Sequence, residues 1–118
     1  MKIGTDIQEV ARIKKAMEID GFINKILLPK EQEYVNKFKD AESHITGFFC
    51  AKEAVMKALG DCKKISFKDI EIDHNEFGAP IAILSGEAKR VFDSLEASDI
   101  QISISQTENF ATAMCVIG

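Results

Sequence analysis

The sequence has 118 residues and contains no apolar run that approaches the roughly 20 residues of a membrane-spanning helix. Its first residues, Met-Lys-Ile-Gly-Thr-Asp, lack the apolar region of a secretory signal and are typical of the start of a folded strand. Only three cysteines are present, Cys50, Cys62 and Cys115, and their spacing does not match a metal site. An odd number of cysteines without such spacing is typical of reduced, mostly buried thiols. We therefore expect a cytoplasmic protein that is neither secreted nor inserted into a membrane.

Several common nucleotide-binding and metal-binding patterns are also absent. The sequence contains no phosphate loop of the nucleoside-triphosphatase type, no Rossmann glycine fingerprint and no zinc spacing. The net charge of −4 excludes a general polyanion-binding protein, so we expect no nucleic acid partner. No repeat, low-complexity tract or linker interrupts the chain, and its length suits one domain over residues 1–118. The apolar fraction of 46% is sufficient to fill a core of that size.

The charge is distributed unevenly along the chain. Residues 12–30 hold five basic residues against two acidic ones, a net charge of +3, whereas residues 66–118 hold three against nine, a net charge of −6. The basic residues of the first segment are Arg12, Lys14, Lys15, Lys25 and Lys30. A basic patch on an acidic protein indicates an acidic partner that docks locally, and an ordinary solvated helix face is the alternative.

The apolar periodicity favours an α+β fold. Helices are predicted over residues 8–20, 30–39, 43–59 and 86–95. Strands are predicted over residues 2–7, 67–72, 81–84, 100–104 and 111–117. The strongest of these patterns is the buried helix that ends at Gly60. The order of elements predicts a mostly antiparallel sheet packed on this long central helix.

Two acidic residues occupy unusual positions in this pattern. Asp6 lies at the end of an apolar strand just before a helix, where capping of that helix is its alternative role. Glu53 lies within the buried helix between Lys52 and Lys57, and an exposed pair with Lys57 is its alternative role. Lys52 falls on the apolar stripe of the helix, although a charged side chain is unexpected at a position that the stripe predicts to be buried.

The two carboxylates would form a cation site if they met in space. Two adjacent carboxylates are costly to ionise without a cation. Oxygen ligands suit Mg²⁺, which usually takes one or two protein carboxylates together with waters and substrate phosphates. Nearby lysines would neutralise the remaining phosphate charge, so the pattern points to phosphoryl-group chemistry. Spacing alone does not establish that Asp6 and Glu53 meet.

Four other polar residues are functional candidates. His44 and His74 are flanked by polar residues, which favours surface positions over catalysis. Ser103 and Ser105 alternate with apolar residues, so they either face a ligand or line an exposed sheet surface.

Four segments resemble, in the same order, those of the holo-acyl-carrier-protein synthases, the short bacterial 4′-phosphopantetheinyl transferases. They are Gly-Thr-Asp-Ile-Gln-Glu-Val-Ala-Arg-Ile at 4–13, Phe-Cys-Ala-Lys-Glu-Ala-Val-Met-Lys-Ala-Leu-Gly at 49–60, Phe-Lys-Asp-Ile-Glu-Ile at 67–72 with Gly-Ala-Pro at 78–80, and Ile-Ser-Ile-Ser at 102–105 with Thr107. The resemblance extends over nearly the whole chain and implies the fold of that family. It further implies a homotrimer with active sites between subunits, each binding coenzyme A and Mg²⁺. The implied reaction transfers phosphopantetheine to a serine of apo acyl carrier protein and releases 3′,5′-ADP, in fatty acid biosynthesis.

The resemblance also assigns expected roles to individual residues. Asp6 and Glu53 match the metal ligands, and Glu53 and Lys57 match the catalytic residues. The residues that match the coenzyme A site are Lys52, Lys57, Gly60, Gly78, Ala79, Pro80, Ser103, Ser105 and Gln106. The residues that match the surface for the acidic carrier protein are Arg12, Lys14, Lys15 and Lys25. Either Glu53 or a metal-positioned water would take the serine proton.

Three positions depart from the family pattern. Phe48 and Gln106 stand where many relatives have arginine and histidine, and Ala79 stands where they commonly have lysine. Each departure removes a positive charge near coenzyme A and bears on its affinity more than on the reaction type. Two other functions are compatible with the sequence, namely a non-catalytic module that binds acidic carrier domains and a metal-independent structural trimer.

Overall fold

The computed structural model describes residues 1–60 and 63–118, so Cys62 lies outside the described residues. The helices are α1 (Val10–Ala16), α2 (Phe22–Ile26), α3 (Pro29–Val35), α4 (Ala41–Leu59) and α5 (Gly86–Ser94). The strands are β1 (Lys2–Glu9), β2 (Ile70–His74), β3 (Pro80–Leu84), β4 (Ile100–Gln106) and β5 (Phe110–Ile117). A short 3-10 helix at Phe67–Asp69 precedes β2.

The strands form two antiparallel sheets, which confirms the predicted α+β class. β5 is the central strand of a three-stranded sheet with the order β1-β5-β4. β2 and β3 form a separate hairpin, in which Ile70 stands opposite Leu84 and His74 opposite Pro80. Because side chains alternate across a strand, the three-stranded sheet has one face toward α4 and one face toward solvent.

Helix α4 is the core element predicted from its apolar stripe. Ile45, Phe48 and Val55 are among its buried side chains, and it packs on the inner face of the three-stranded sheet. The helix ends at Gly60, whose φ of +84° favours glycine, as its sequence pattern predicts. At Gly4, a Cβ atom would collide with the backbone carbonyl oxygen of Ala54. Glycine at this position therefore allows β1 to lie directly against α4.

Several predicted boundaries differ from the structure, and the strand predicted over 67–72 begins only at Ile70 because Phe67–Asp69 forms a 3-10 helix. The strand predicted over 2–7 continues to Glu9 because Gln8 and Glu9 pair with Ala111 and Phe110 of β5, and α1 is correspondingly short. The apolar turn before Pro29 contains the short helix α2, which follows a left-handed Gly21 with φ of +86°. The helix predicted over 30–39 ends at Val35. Within residues 1–60 and 63–118, no helix has both the length and the apolar character needed to cross a membrane.

Candidate active site

Asp6 lies inside β1, where it faces α4 rather than capping a helix. Its backbone partner in β5 is the buried Ala113, and its side chain is only 9% exposed. Lys57 of α4 places Nζ 3.3 Å from Asp6 Oδ1, and the same ammonium donates to the carbonyl oxygen of Thr5 at 2.9 Å. Gln8 Nε2 donates to the other carboxylate oxygen of Asp6 at 3.2 Å. Asp6 is thus held by neighbours from both β1 and α4.

Glu53 lies close enough to Asp6 for the charges of the two carboxylates to interact. Burial raises the pKa of Glu53 above its ordinary value, and the negative charge of Asp6 raises it further. The positive charge of Lys57 opposes this rise in the pKa of Glu53. Two carboxylates in mutual repulsion, with one lysine to offset them, form a pair that a divalent cation would relieve.

The donor set of this site fits Mg²⁺ bound jointly with a phosphate substrate. Carboxylate oxygens are the ligands that Mg²⁺ prefers, and this ion commonly takes only one or two of them from the protein. Within residues 1–60 and 63–118, no group of three or more His, Cys, Asp or Glu side chains could hold a metal ion. Asp6 and Glu53 would therefore leave most coordination positions to water and phosphate oxygens.

A buried thiol lies beside the acidic pair. Burial raises the pKa of Cys50 to about 12, and the negative charge of Asp6 contributes to this rise. Its Sγ lies 3.3 Å from the carbonyl oxygen of Ala111, as a donor. At neutral pH the thiol therefore stays protonated and is neither a nucleophile nor a thiolate ligand. Cys50 and Cys115 are both buried and free, as the sequence predicts for these two residues.

The expectation that Lys52 binds a coenzyme A phosphate is wrong. Its side chain is 0% exposed, and Nζ lies 2.7 Å from Glu31 Oε1 and 2.7 Å from the carbonyl oxygen of Ile26. The apolar stripe of α4 carries this position into the core, where Glu31 supplies the opposite charge. This buried pair also explains the lysine that interrupts the stripe.

Ser103 and Ser105 lie on the solvent-facing side of the three-stranded sheet. Ser103 stands opposite Met114, and Ser105 stands opposite Thr112. Asp6 stands opposite Ala113, whose side chain points to the other face. One chain therefore does not bring the two serines together with the acidic pair.

Gln106 contacts a histidine of α4. Its Nε2 lies 3.2 Å from His44 Nδ1, and His44 Nε2 lies 3.4 Å from Asp40 Oδ1. The His44 ring also stacks on Phe38 with a centroid distance of 3.8 Å, and its side chain is 21% exposed. His44 is thus partly buried rather than a free surface residue.

A cavity of about 380 Å³ lies between α3 and β2 and brings together Lys30 and His74, which the sequence indicated separately. It is lined by Lys30, Glu33, Tyr34, Lys37, Ile72, Asp73 and His74. The rings of Tyr34 and His74 stack with a centroid distance of 4.2 Å, and Tyr34 also stacks on Phe48 at 5.7 Å. Burial lowers the pKa of His74, so its neutral form is favoured. The lining residues come from distant segments, so no local spacing could have indicated them.

The remaining candidate residues lie at the periphery of the molecule. Gly78 and Ala79 are in the exposed turn before Pro80, where Gly78 has φ of +84° and Asn75 Oδ1 accepts from Ala79 N at 3.0 Å. The docking candidates Arg12, Lys14, Lys15 and Lys25 are all exposed on α1 and α2. Arg12 and Lys15 flank a surface cavity of about 520 Å³ together with Ile19, which is 65% exposed.

The chain is similar to proteins of known family along nearly its whole length. The family model of the 4′-phosphopantetheinyl transferase superfamily matches residues 2–115, which defines the class of the protein. The holo-[acyl-carrier-protein] synthase of a Thermoanaerobacter species is 45% identical over 116 residues, covering 97% of this chain and 84% of the relative. The corresponding protein of Clostridium novyi is 43% identical over 117 residues, covering 98% of this chain and 85% of the relative.

Solved structures give the same result. The Helicobacter pylori holo-[acyl-carrier-protein] synthase in complex with coenzyme A has a TM-score of 0.82 at 36% identity, covering 98% of this chain and 99% of that one. The Bacillus anthracis enzyme in complex with CoA (3′,5′-ADP) has a TM-score of 0.81 at 35% identity, covering 98% and 94%. This chain belongs to the holo-[acyl-carrier-protein] synthase family. The resemblance found in the sequence is thereby confirmed.

Replacing Glu53 by glutamine is expected to stabilise the metal-free fold at neutral pH. The folded-state pKa of Glu53 is raised above its ordinary value of 4.5, so folding disfavours the ionised carboxylate. The stability associated with the neutral form is fully present below pH 4.5 and is lost as the pH rises through the raised pKa. The melting temperature of Glu53→Gln should exceed that of wild type at pH 7, and the difference should vanish below pH 4.5.

The matched control is Glu96→Gln, which changes an exposed glutamate after α5. It should leave the melting temperature unchanged across the same pH range. A Glu53→Gln protein that melts below wild type at pH 7 would show that the fold stabilises this carboxylate, contrary to the expected repulsion.

Proposed function

We propose that this chain transfers the 4′-phosphopantetheine group of coenzyme A to a serine of apo acyl carrier protein, as the family to which it belongs does. The observation that carries the proposal is the pairing of Asp6 with Lys57 between β1 and α4, within electrostatic range of Glu53. Two carboxylates and an ammonium at one place suit the binding of a cation together with a pyrophosphate. The transfer supplies holo carrier protein for fatty acid biosynthesis.

Each residue of the acidic pair has a defined part in this reaction. Asp6 and Glu53 would hold Mg²⁺, which supplies positive charge to the pyrophosphate oxygens when it is bound. Lys57 is 52% exposed, so its ammonium can reach a phosphate while Thr5 and Asp6 orient it. We assign Lys57 to the oxygens of the transferred β-phosphate, where negative charge must be stabilised during transfer.

The chemistry is a displacement at phosphorus. The serine hydroxyl oxygen forms a bond to the β-phosphorus, and the bond from that phosphorus to the departing 3′,5′-ADP breaks. The serine proton passes to a base, which would be either Glu53 or a water positioned at the cation site. Catalysis then consists mainly of positioning and electrostatic stabilisation.

We further propose that the active unit is a homotrimer with sites between subunits. The solvent-facing side of the three-stranded sheet exposes Ile3, Ile7, Phe110 and Met114, with exposed fractions from 49% to 71%. A contiguous apolar patch of this kind is typical of an interface. Ser103 and Ser105 lie on the same side of the sheet, so contact with a second copy would bring them toward a neighbouring site.

Coenzyme A would bind at this interface. We assign the nucleotide part to Gly60, Gln106 and the turn formed by Gly78, Ala79 and Pro80, and to the two serines of β4. Phe48 is packed against aromatic rings and cannot carry the charge that relatives place there. Many relatives carry a histidine at the position of Gln106. In this chain the imidazole of His44 lies beside Gln106 and so close to that position.

The remaining proposals concern the surface and the cellular setting. Arg12, Lys14, Lys15 and Lys25 are exposed on α1 and α2 and would receive the acidic carrier protein. We regard residues 1–118 as one domain, without a membrane or nucleic acid partner. The buried free thiols of Cys50 and Cys115 support a cytoplasmic location.

The direct test is incubation with coenzyme A, Mg²⁺ and an apo acyl carrier protein, followed by mass spectrometry of the carrier. We expect a mass gain equal to one phosphopantetheine group on the carrier serine. Glu53→Gln should reduce this Mg²⁺-dependent transfer by about a hundredfold or more, as loss of a preorganised charged group typically does. Glu96→Gln should transfer at the wild-type rate.

Two results would contradict these assignments. If the wild-type protein modifies no carrier but binds carriers in the same buffer, the non-catalytic binding module becomes the better function. If Glu53→Gln retains near-normal activity at low Mg²⁺, Glu53 is not a ligand of the ion.

Charge reversal at Arg12 tests the docking surface. Arg12→Glu should raise KM for the carrier protein roughly fivefold at low salt, since exposed charges mainly affect association. KM for coenzyme A should stay unchanged, and the defect should shrink as salt rises above physiological ionic strength. Lys68→Glu makes the same charge change at an exposed lysine outside residues 12–30 and is the control. An equal effect of Arg12→Glu on both substrates would indicate a structural role instead.

Mixing two inactive variants tests the trimer with shared sites. Glu53→Gln damages the metal-binding part of a site, whereas Ala79→Glu adds a negative charge to the turn that we assign to coenzyme A. Co-expressed chains should recover part of the activity, because mixed trimers contain some sites with both parts intact. Co-expression of Glu53→Gln with Lys57→Ala should recover none, since both changes damage the same part. Sedimentation that shows an active monomer would contradict the proposal.

A further inference from the structure

A buried ion pair between Glu31 of α3 and Lys52 of α4 has no part in the function described above. The two side chains are 1% and 0% exposed, and Nζ lies 2.7 Å from Glu31 Oε1. Burying two charges costs solvation free energy, so such pairs often stabilise a fold no better than apolar residues of similar volume. Global stability is therefore a weak explanation for this pair.

Both carboxylate oxygens of Glu31 accept hydrogen bonds from different elements. Oε1 accepts from Lys52 Nζ and from Leu28 N, the latter at 2.8 Å. Oε2 accepts from the backbone N–H of Ile72 in β2 at 2.7 Å. Lys52 donates in addition to the carbonyl oxygen of Ile26 at the end of α2. One carboxylate thus joins the start of α3, the middle of α4 and the hairpin strand β2.

The bond to Ile72 reaches the hairpin that carries the proposed nucleotide-binding turn. Ile72 stands opposite Ala82 of β3, but its N–H is donated to Glu31. β2 and β3 form a two-stranded sheet of their own, separate from the sheet that carries Asp6. A two-stranded hairpin is only marginally stable alone, so its orientation depends on contacts with the rest of the protein. Glu31 supplies a charged and fully buried contact of this kind.

We propose that Glu31 is a positioning residue, whose Oε2 holds β2 and thereby orients the turn at residues 78–80 for coenzyme A. Lys52 assists by occupying Oε1, which leaves Oε2 directed at Ile72. The inference rests on the proposed function, because it assigns coenzyme A to that turn. Glu31 itself touches neither substrate.

The variant Glu31→Gln removes the contact with the hairpin together with the negative charge opposite Lys52. A glutamine has one carbonyl oxygen, which accepts hydrogen bonds, and one amide nitrogen, which only donates. The positive charge of Lys52 and the N–H of Leu28 both require the oxygen at the Oε1 position. The amide nitrogen then faces the N–H of Ile72, so that hydrogen bond is lost, and Lys52 loses its counter-charge, which Glu31→Asp retains. The side-chain volume is nearly unchanged.

We expect Glu31→Gln to raise the Kd of coenzyme A about tenfold. This factor corresponds to the loss of one hydrogen bond to a charged group, when that loss is fully coupled to binding. Binding is measured by titration calorimetry on the assembled protein with Mg²⁺ present. In the transfer assay, KM for coenzyme A should rise in parallel, while kcat and KM for the carrier stay within about twofold. Hydrogen exchange of the Ile72 amide should become faster than in wild type.

Two further variants make the test complete. Glu33→Gln changes an exposed glutamate two residues away on α3 and should bind coenzyme A like wild type. Glu31→Asp keeps the charge opposite Lys52 but is one methylene too short to span the same contacts. If Glu31→Gln fails to fold, Glu31→Asp decides the question with the same two measurements.

The outcomes separate this inference from the proposed function. A wild-type protein that transfers phosphopantetheine, with folded Glu31 variants that lose coenzyme A affinity selectively, supports the inference. Folded variants with a lower melting temperature but an unchanged Kd for coenzyme A overturn it, as does a loss of kcat alone. A wild-type protein that neither binds coenzyme A nor transfers phosphopantetheine overturns the proposed function itself.

Discussion

The close packing of β1 on α4 determines where every proposed catalytic group lies. Gly4 permits this packing, because any side chain at that position would collide with the backbone of α4 at Ala54. Two residues further along β1, Asp6 consequently faces the helix, pairs with Lys57 and lies within electrostatic range of Glu53. The acidic pair therefore belongs to the core elements β1 and α4 and not to a loop.

Two adjacent charged residues of α4, Lys52 and Glu53, have different roles. At Lys52 a buried charge is matched by Glu31 and by backbone groups, so the pair holds neighbouring elements together. At the next residue, burial raises the pKa of Glu53, and the negative charge of Asp6 raises it further. Lys52 thus has its counter-charge, Glu31, inside the protein. Glu53 is instead suited to a cation that binds from solution.

Much of the fold was predictable because its signals are local. The apolar stripe of α4 and its end at Gly60 were correctly predicted, as was the mostly antiparallel arrangement of the strands. The end of β1 was misplaced because it depends on pairing with β5, a strand at the opposite end of the chain. The helix α2 was missed because so short a helix has little periodicity of its own and depends on packing of Ile26 and its neighbours.

The family, the α+β class and the candidate acidic residues could be predicted from residue types in their order along the chain. The packing of the elements was needed to show that Asp6 lies within electrostatic range of Glu53, that Lys52 points into the core and that Gln106 contacts His44. Ser103 and Ser105 lie on the solvent-facing side of the three-stranded sheet, whereas Asp6 lies on the side that faces α4. The physical reason is that spacing along a chain specifies which face of an element a residue occupies, whereas the packing of elements decides what that face meets.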